Sequence, residues 1–248
     1  MMKNKTGIKL STAILLSVLV LMVVGVFASN LVLKNVYNKI DKGDLYWNYN
    51  RVLEQPYKHL KLEGGNVTNI IFEQNKKSSV RVLNDWREYE KDVTFKAFVK
   101  NDTLHLTFPN KYKSLGERDW MRRTVLVRLF APQLLSIDGS DTNFELQKLK
   151  QANISISLKG KSRLEVESYN HNFDTLNIAQ ADSSQVIFEM APELKGTQTM
   201  NFNNVTASLK DYTILDIGHG YANHLNLNLA DSSAIILSGK SLKALKHL

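Results

Sequence analysis

The 248-residue chain contains no cysteine. That excludes disulfides, thiolate catalysis, cysteine-ligated zinc and attachment through a lipobox cysteine. It leaves the compartment open, because many exported proteins also lack cysteine. No acidic residue occurs before Asp41, and no charge of either sign lies between Leu10 and Leu33. No Walker loop or dinucleotide fingerprint is present, which removes those nucleotide-binding classes. The Gly-x-Ser-x-Gly elbow of α/β-hydrolases is missing too. What remains is ordinary for a folded protein: 43% apolar and 23% charged residues. Apart from its membrane segment, the chain suits one substantial domain or two small ones. The net charge is +8, of which Lys3, Lys5 and Lys9 supply three. The mild remainder favours an anionic envelope surface or polyanions, although a solvated basic surface is the simpler reading.

The uncharged run is long enough to cross a bilayer as a helix, which needs about 20 apolar residues. A secretory signal has a shorter apolar core, of about 7–15 residues. The run is apolar all round, which argues against a soluble helix. Residues 10–33 therefore read as an uncleaved transmembrane signal anchor. The alternative is export after cleavage near Ala28, where Val26 and Ala28 offer small residues. Lys3, Lys5 and Lys9 lie on one side and Lys34, Lys39 and Lys42 on the other, so lysine counting gives no orientation. Short basic heads of such anchors usually stay inside. The expectation is a single-pass protein of the inner (cytoplasmic) membrane, with residues 1–9 cytoplasmic and the bulk of the chain periplasmic.

Residues 34–56 read as a membrane-proximal connector. Val36, Tyr37 and Ile40 fit one face of a short helix. Tyr46, Trp47 and Tyr49 sit either at the headgroup level or against the next domain, and the second is preferred. From Tyr57 the alternation is that of half-buried strands. Leu60 and Leu62 alternate with lysine and glutamate, and Gly64-Gly65-Asn66 is a turn signal. Val67 to Glu73 and Val80 to Val82 read as further strands. Val93, Phe95, Ala97 and Val99 run toward Asn101-Asp102, and Leu104, Leu106 and Phe108 run back, as in a β-hairpin. Thr124 to Phe130 is another strand.

Leu135 to Leu237 repeats one pattern: apolar alternation, a polar corner, apolar alternation. The corners align Thr142, Ser162, Ser184 and Ser233, at separations of 20, 22 and 49 residues, the last close to two periods. A period of this size with strand alternation inside each unit marks a solenoid or β-helix. The inward positions are Ile154, Ile156 and Leu158, Leu164 and Val166, Leu176 and Ile178, and Val186 with Phe188. Leu225, Leu227 and Leu229 follow, with Ile235 and Leu237. Met200, Phe202, Val205, Ala207 and Leu209 supply the less regular unit between, closed by Ile214, Leu215 and Ile217 before a bend at Gly218-His219-Gly220. Asp and Ser at the corners suit turns, because their side chains bond nearby backbone amides. The fold expectation is all-β: a β-helix over residues 57–241 after one transmembrane helix, with 242–248 as a tail over the last unit.

Lys111 to Arg123 form a basic insertion. Its Lys111, Lys113, Arg118, Trp120, Arg122 and Arg123 are the candidate partner-binding residues, on the logic of cations beside an aromatic. A surface loop with Trp120 turned inward is the bland alternative.

These stretches together resemble the auto-transporter adhesin head, GIN-type domain family of Bacteroidetes envelope proteins. The resemblance is carried by Leu60-Lys-Leu-Glu-Gly-Gly-Asn66 with its following strand, and by Val99-Lys-Asn-Asp-Thr-Leu-His-Leu106. Val125-Leu-Val-Arg-Leu-Phe-Ala-Pro132, Leu135-Ser-Ile-Asp-Gly-Ser140 and the serine corners complete it. It covers about Tyr57 to Leu237. Asp-Ser-Ser and Lys-Gly-Lys-Ser replace some of the usual glycine-rich corners. The resemblance implies a β-helical, extracytoplasmic domain and no catalytic residues.

Serines beside aspartates are read as turns rather than a Ser-His-Asp site. His219 and His224 flank a bend, with His171 distant, and are not read as zinc ligands. Asp138, Asp141, Asp174, Asp182 and Asp231 would have to stack along one edge to bind calcium, and the dense glycine–aspartate repeat of β-rolls is absent. The sequons at Asn66, Asn153 and Asn204 are attributed to chance in an asparagine-rich chain. No enzyme, cofactor, metal or nucleic acid is expected. The leading function is a membrane-anchored, adhesin-like envelope protein that presents a surface to protein or glycan partners. The alternatives are a self-associating envelope scaffold or signalling component, and a polysaccharide-active β-helix enzyme.

Overall fold

Leu10–Lys39 form one helix, α1, in which no residue is buried. Leucine, valine and isoleucine carry it, and an 18-residue stretch with a mean hydropathy of 2.7 makes it long and apolar enough to cross a membrane. It continues through Val36 and Tyr37, so the separate short helix expected there is the last turns of α1. The structure, a computed structural model, describes residues 9–66, 68–84, 96–108, 125–169, 172–190, 199–218, 220–237 and 241–242. The chain divides into two units, residues 1–47 and 48–248.

The second unit is built of strands. In chain order they begin with β1 (Tyr49–Leu53), β2 (His59–Glu63), β3 (Asn69–Gln74), β4 (Ser79–Leu83), β5 (Lys96–Lys100) and β6 (Thr103–Thr107). Then come β7 (Val125–Ala131), β8 (Ser136–Ser140), β9 (Asn143–Leu149), β10 (Asn153–Lys159), β11 (Arg163–Ser168) and β12 (Asn172–Gln180). The last are β13 (Gln185–Met190), β14 (Asn201–Leu209), β15 (Ile214–Asp216), β16 (Tyr221–Leu229) and β17 (Ala234–Ile236). They form a nine-stranded sheet, ordered β1-β4-β7-β3-β9-β11-β13-β15-β17, and an eight-stranded sheet, ordered β16-β14-β12-β10-β8-β2-β6-β5. Neither order closes on itself. From β8 onward each strand lies in the sheet its predecessor does not; β8 and β9 pair in parallel with β2 and β3, and from β10 onward each strand pairs in parallel with the strand two before it.

The registers set like residues side by side. Ile156 lies between Ile137 and Ile178, and Val166 between Leu146 and Phe188. These side chains are buried, as are Met200, Phe202, Val205, Ala207 and Leu209 of the less regular unit. Each fully buried large apolar side chain contributes about 1.5–3 kcal/mol. Phe173 stacks on Phe202 at 5.3 Å, and Phe188 meets both edge-on. Ile214 differs from expectation: it lies half-buried while Leu215 and Ile217 are inside. At the last strands burial fades, with Leu229 42% exposed. Ser241 is buried there, donating to the Gly220 carbonyl and accepting from the Ala222 N–H.

The polar corners obey one rule. A hydroxyl residue stands immediately before each of β3, β9, β11, β13, β15 and β17: Thr68, Thr142, Ser162, Ser184, Thr213 and Ser233. Thr213 divides the 49-residue gap into 29 and 20, so two periods do lie there. The Ser162 hydroxyl donates to the Lys159 carbonyl at 2.6 Å and accepts from the Thr142 N–H at 3.2 Å. Ser184 donates to the Leu158 carbonyl, and Ser233 to that of Ala230. The Ser162–Lys159 and Ser233–Ala230 bonds close their own turns, whereas the Ser184–Leu158 and Thr142–Ser162 bonds tie one corner to the next. Asp141, Asp182 and Asp211 hold positive φ in the same turns, a conformation that aspartate tolerates better than most residues.

The first half is less regular. The expected hairpin is present as β5 and β6, with Asn101 and Asp102 both at positive φ between them. Positions 91–95, including Val93 and Phe95, lie outside the described residues. The region read as a connector contains β1, which pairs antiparallel with β4. Tyr49 turns onto the β unit: its hydroxyl donates to the Val125 carbonyl at 2.7 Å, and the Arg128 guanidinium lies over its ring.

Candidate binding face

The two sheets present different outer faces. On the nine-stranded sheet, charges compensate one another. Glu73, buried, accepts from Arg128 at 2.5 Å and from Lys148 at 2.7 Å. Arg163 pairs with Glu165, and Arg51 with Glu54. Glu145 stands directly beside Glu165 across the β9–β11 ladder. Burial, with the Glu165 charge adding to it, pushes the Glu145 carboxyl above the ordinary glutamate range, partly offset by a hydrogen bond from Gln147.

The eight-stranded sheet is different. Parallel register lays out two rows across β8, β10, β12, β14 and β16. One row is Ser136, Ser155, Asn177, Thr206 and Asn226. The next is Asp138, Ser157, Ala179, Ser208 and Asn228. Asp138 is the one ionisable residue among these ten. Their short side chains leave a shallow trough of about 510 Å³. Beside it the amides form ladders: Asn203 donates to Asp174 at 3.1 Å and Asn201 to Asn172 at 3.1 Å. The spacing between strands, about 4.8 Å, is fixed by the backbone.

The same face continues through β2, β6 and β5 with other chemistry. Ser136 bonds His59 at 2.7 Å. Lys61 is the register partner of Asp138 on one side and of His105 on the other. On β5 the inward positions are Ala97 and Val99, which leaves Lys96, Phe98 and Lys100 facing out. Phe98 is 46% exposed, and its ring stacks flat on His105, 4.8 Å apart and 3° from parallel. The neutral trough therefore runs into a cationic end that carries an open aromatic plate.

Lys111, Lys113, Arg118, Trp120, Arg122 and Arg123 lie outside the described residues, as do His171 and His219. The five aspartates do not form one edge: Asp138 and Asp174 are on strands of the eight-stranded sheet, whereas Asp141, Asp182 and Asp231 are in turns. Among the described residues no three acidic or histidine side chains converge as metal ligands do. The trough residues carry one signal in the sequence, the polar half of each strand's alternation. That half reads as solvent-facing until the register aligns it.

Known proteins were compared with this chain by sequence and by fold. No family model matches the chain, and no curated protein matches it in sequence. Solved structures do. A protein named "putative lipid binding protein" from Parabacteroides distasonis is similar at a TM-score of 0.50 and 13% identity, over 77% of this chain and 72% of that one. A "putative adhesin" from Parabacteroides merdae gives 0.49 and 13% identity, over 76% and 74%. A "putative adhesin" from Bacteroides fragilis gives 0.38 and 15%, over 77% and 96%. The class defined by these observations is a mostly-β protein with an N-terminal apolar helix in its sequence, and the likeness to the lipid-binding-named P. distasonis protein is one of fold alone.

Proposed function

We propose that this chain is a membrane-anchored, non-enzymatic envelope protein whose β-helix, of the GIN type, presents a surface to protein or glycan partners. Helix α1 would hold it in the inner membrane, and the β unit would lie in the periplasm. The β-helix reading is supported by the alternation of β8 to β17 between the two sheets with parallel pairing throughout, and by the hydroxyl before each of β9, β11, β13, β15 and β17. The observation that carries the function is the outer face of the eight-stranded sheet. Its hydrogen-bonding groups are fixed by backbone register, so a partner is met by an ordered array at little conformational cost. An adhesin-like role follows from display alone, with no reaction.

The test is protease accessibility in intact cells and spheroplasts, with an amino-terminal tag reporting the anchor. The expected result is a β unit protected in cells and cut in spheroplasts, while the tag stays on a small membrane fragment. Protection in both, with cleavage once detergent is added, places the unit in the cytoplasm and ends this reading. A self-associating scaffold is a second reading, favoured by the exposure of Leu229, Ile236 and Leu242 near the last strands. Concentration-dependent assembly of the detergent-solubilised chain supports it, and a monomer at all concentrations removes it.

A further inference from the structure

We infer that the outer face of the eight-stranded sheet binds an acidic glycan, with the chain of sugars running across the strands from β5 toward β16. The inference deepens the proposed function and rests on it. Three independent features of the face point to the same ligand chemistry.

The first is the trough. Serine, threonine and asparagine side chains offer donors and acceptors without formal charge, the complement of sugar hydroxyls. The second is the plate. Phe98 leaves nearly half its surface in water, although Ala97 and Val99 beside it pack onto the core. Its ring is held flat by His105, which leaves the other side of the ring open for the C–H face of a pyranose. The third is charge. Lys61, Lys96 and Lys100 surround this plate, with Glu63 as the acid among the outward residues of β2, β5 and β6. Lys61 bonds Glu63 at 3.4 Å, so Lys96 and Lys100 are the cations placed for carboxylate or sulfate groups. The path from plate to far end of the trough crosses seven strand spacings, about 34 Å, enough for several sugar units side by side with successive strands.

The experiment uses the full chain in nanodiscs of zwitterionic lipid. Oligogalacturonate and sulfated dextran are the acidic glycans, unmodified dextran the neutral one, and polyphosphate the anion without sugar. Vesicles of anionic lipid form a fifth arm. The expected result is binding of at least one acidic glycan above both dextran and polyphosphate. Phe98→Ala should weaken that binding about tenfold, the equivalent of one stacking contact. Lys96→Gln with Lys100→Gln should weaken it and flatten its salt dependence. Asn177→Ala with Asn228→Ala should weaken it without changing the salt slope. All these positions are exposed, and unchanged thermal unfolding of each variant confirms its fold.

Equal binding of polyphosphate and acidic glycan, insensitive to Phe98→Ala, overturns the inference, because the face is then a general cation surface. So does binding of neither acidic glycan above dextran, or Phe98-dependent binding of anionic vesicles alone. None of these touches the protease result, so the glycan inference can fail while the anchored reading stands. A cytoplasmic β unit would end both.

Discussion

At the scale of single residues, the β unit stakes much on Glu73. Its carboxylate is buried and holds both Arg128 and Lys148. Removing that carboxylate takes one ion pair from a mostly buried arginine and one from a half-exposed lysine, at a cost of about 1–3 kcal/mol. Glu73→Ala should therefore lower the urea midpoint of the β unit by an amount corresponding to that loss. Glu145 behaves oppositely. Its carboxyl is raised by burial and by Glu165, so the folded state binds its proton more tightly than the unfolded chain does. Stability is then fully present below the ordinary glutamate range and falls as pH rises through the higher folded value. Glu145→Gln removes the like-charge contact and keeps an acceptor for Gln147. Urea melts at pH 7 should show it more stable by about 0.5 kcal/mol. The gain should vanish below the ordinary glutamate range, where Glu145 is protonated in both states.

At the scale of elements, the corner hydroxyls make the clearest case. Ser162→Ala removes both a donor to Lys159 and the acceptor of the buried Thr142 N–H. The expected cost is about 1–3 kcal/mol by denaturant melt, whereas Ser232→Ala, in the exposed last turn, should cost less. Four of these six corners were legible because Ser or Thr recurs at 20 and 22 residues. Thr68 and Thr213 were not, since Thr68 lies 74 residues before Thr142, outside the repeating stretch, and the step from Ser184 to Thr213 is 29 residues. The inward residues of β10 to β13 were legible from alternation. Strand β1 was not: its pairing slips between Arg51 and Leu53, so its apolar residues do not alternate. The spatial order of β2, β3, β6 and β7 was illegible for another reason. Strands β2 and β3 lie between β6 and β7 on one side and β8 and β9 on the other. Nothing in a strand's own alternation names its neighbour.

At the scale of the molecule, the two halves of the functional question separate. The apolar helix is plain from composition, and the protease experiment decides which side of the membrane the β unit occupies. The candidate face was hidden because it belongs to no single stretch. Ser155, Asn177, Thr206 and Asn226 are 20 to 29 residues apart and become one row only through the register of four strands. Phe98 and His105 are closer in sequence, yet reading them as a plate required the hairpin pairing that sets them opposite.

The near-constant step between corners has a genetic corollary. Residues 163–184 carry one strand for each sheet and end on the hydroxyl that precedes the next strand. An in-frame tandem duplication of that segment adds one rung to both sheets and leaves every existing neighbour with a partner of the same kind. A lineage can thus lengthen or shorten this face by unequal recombination, one sugar-sized increment at a time, without inventing a new core.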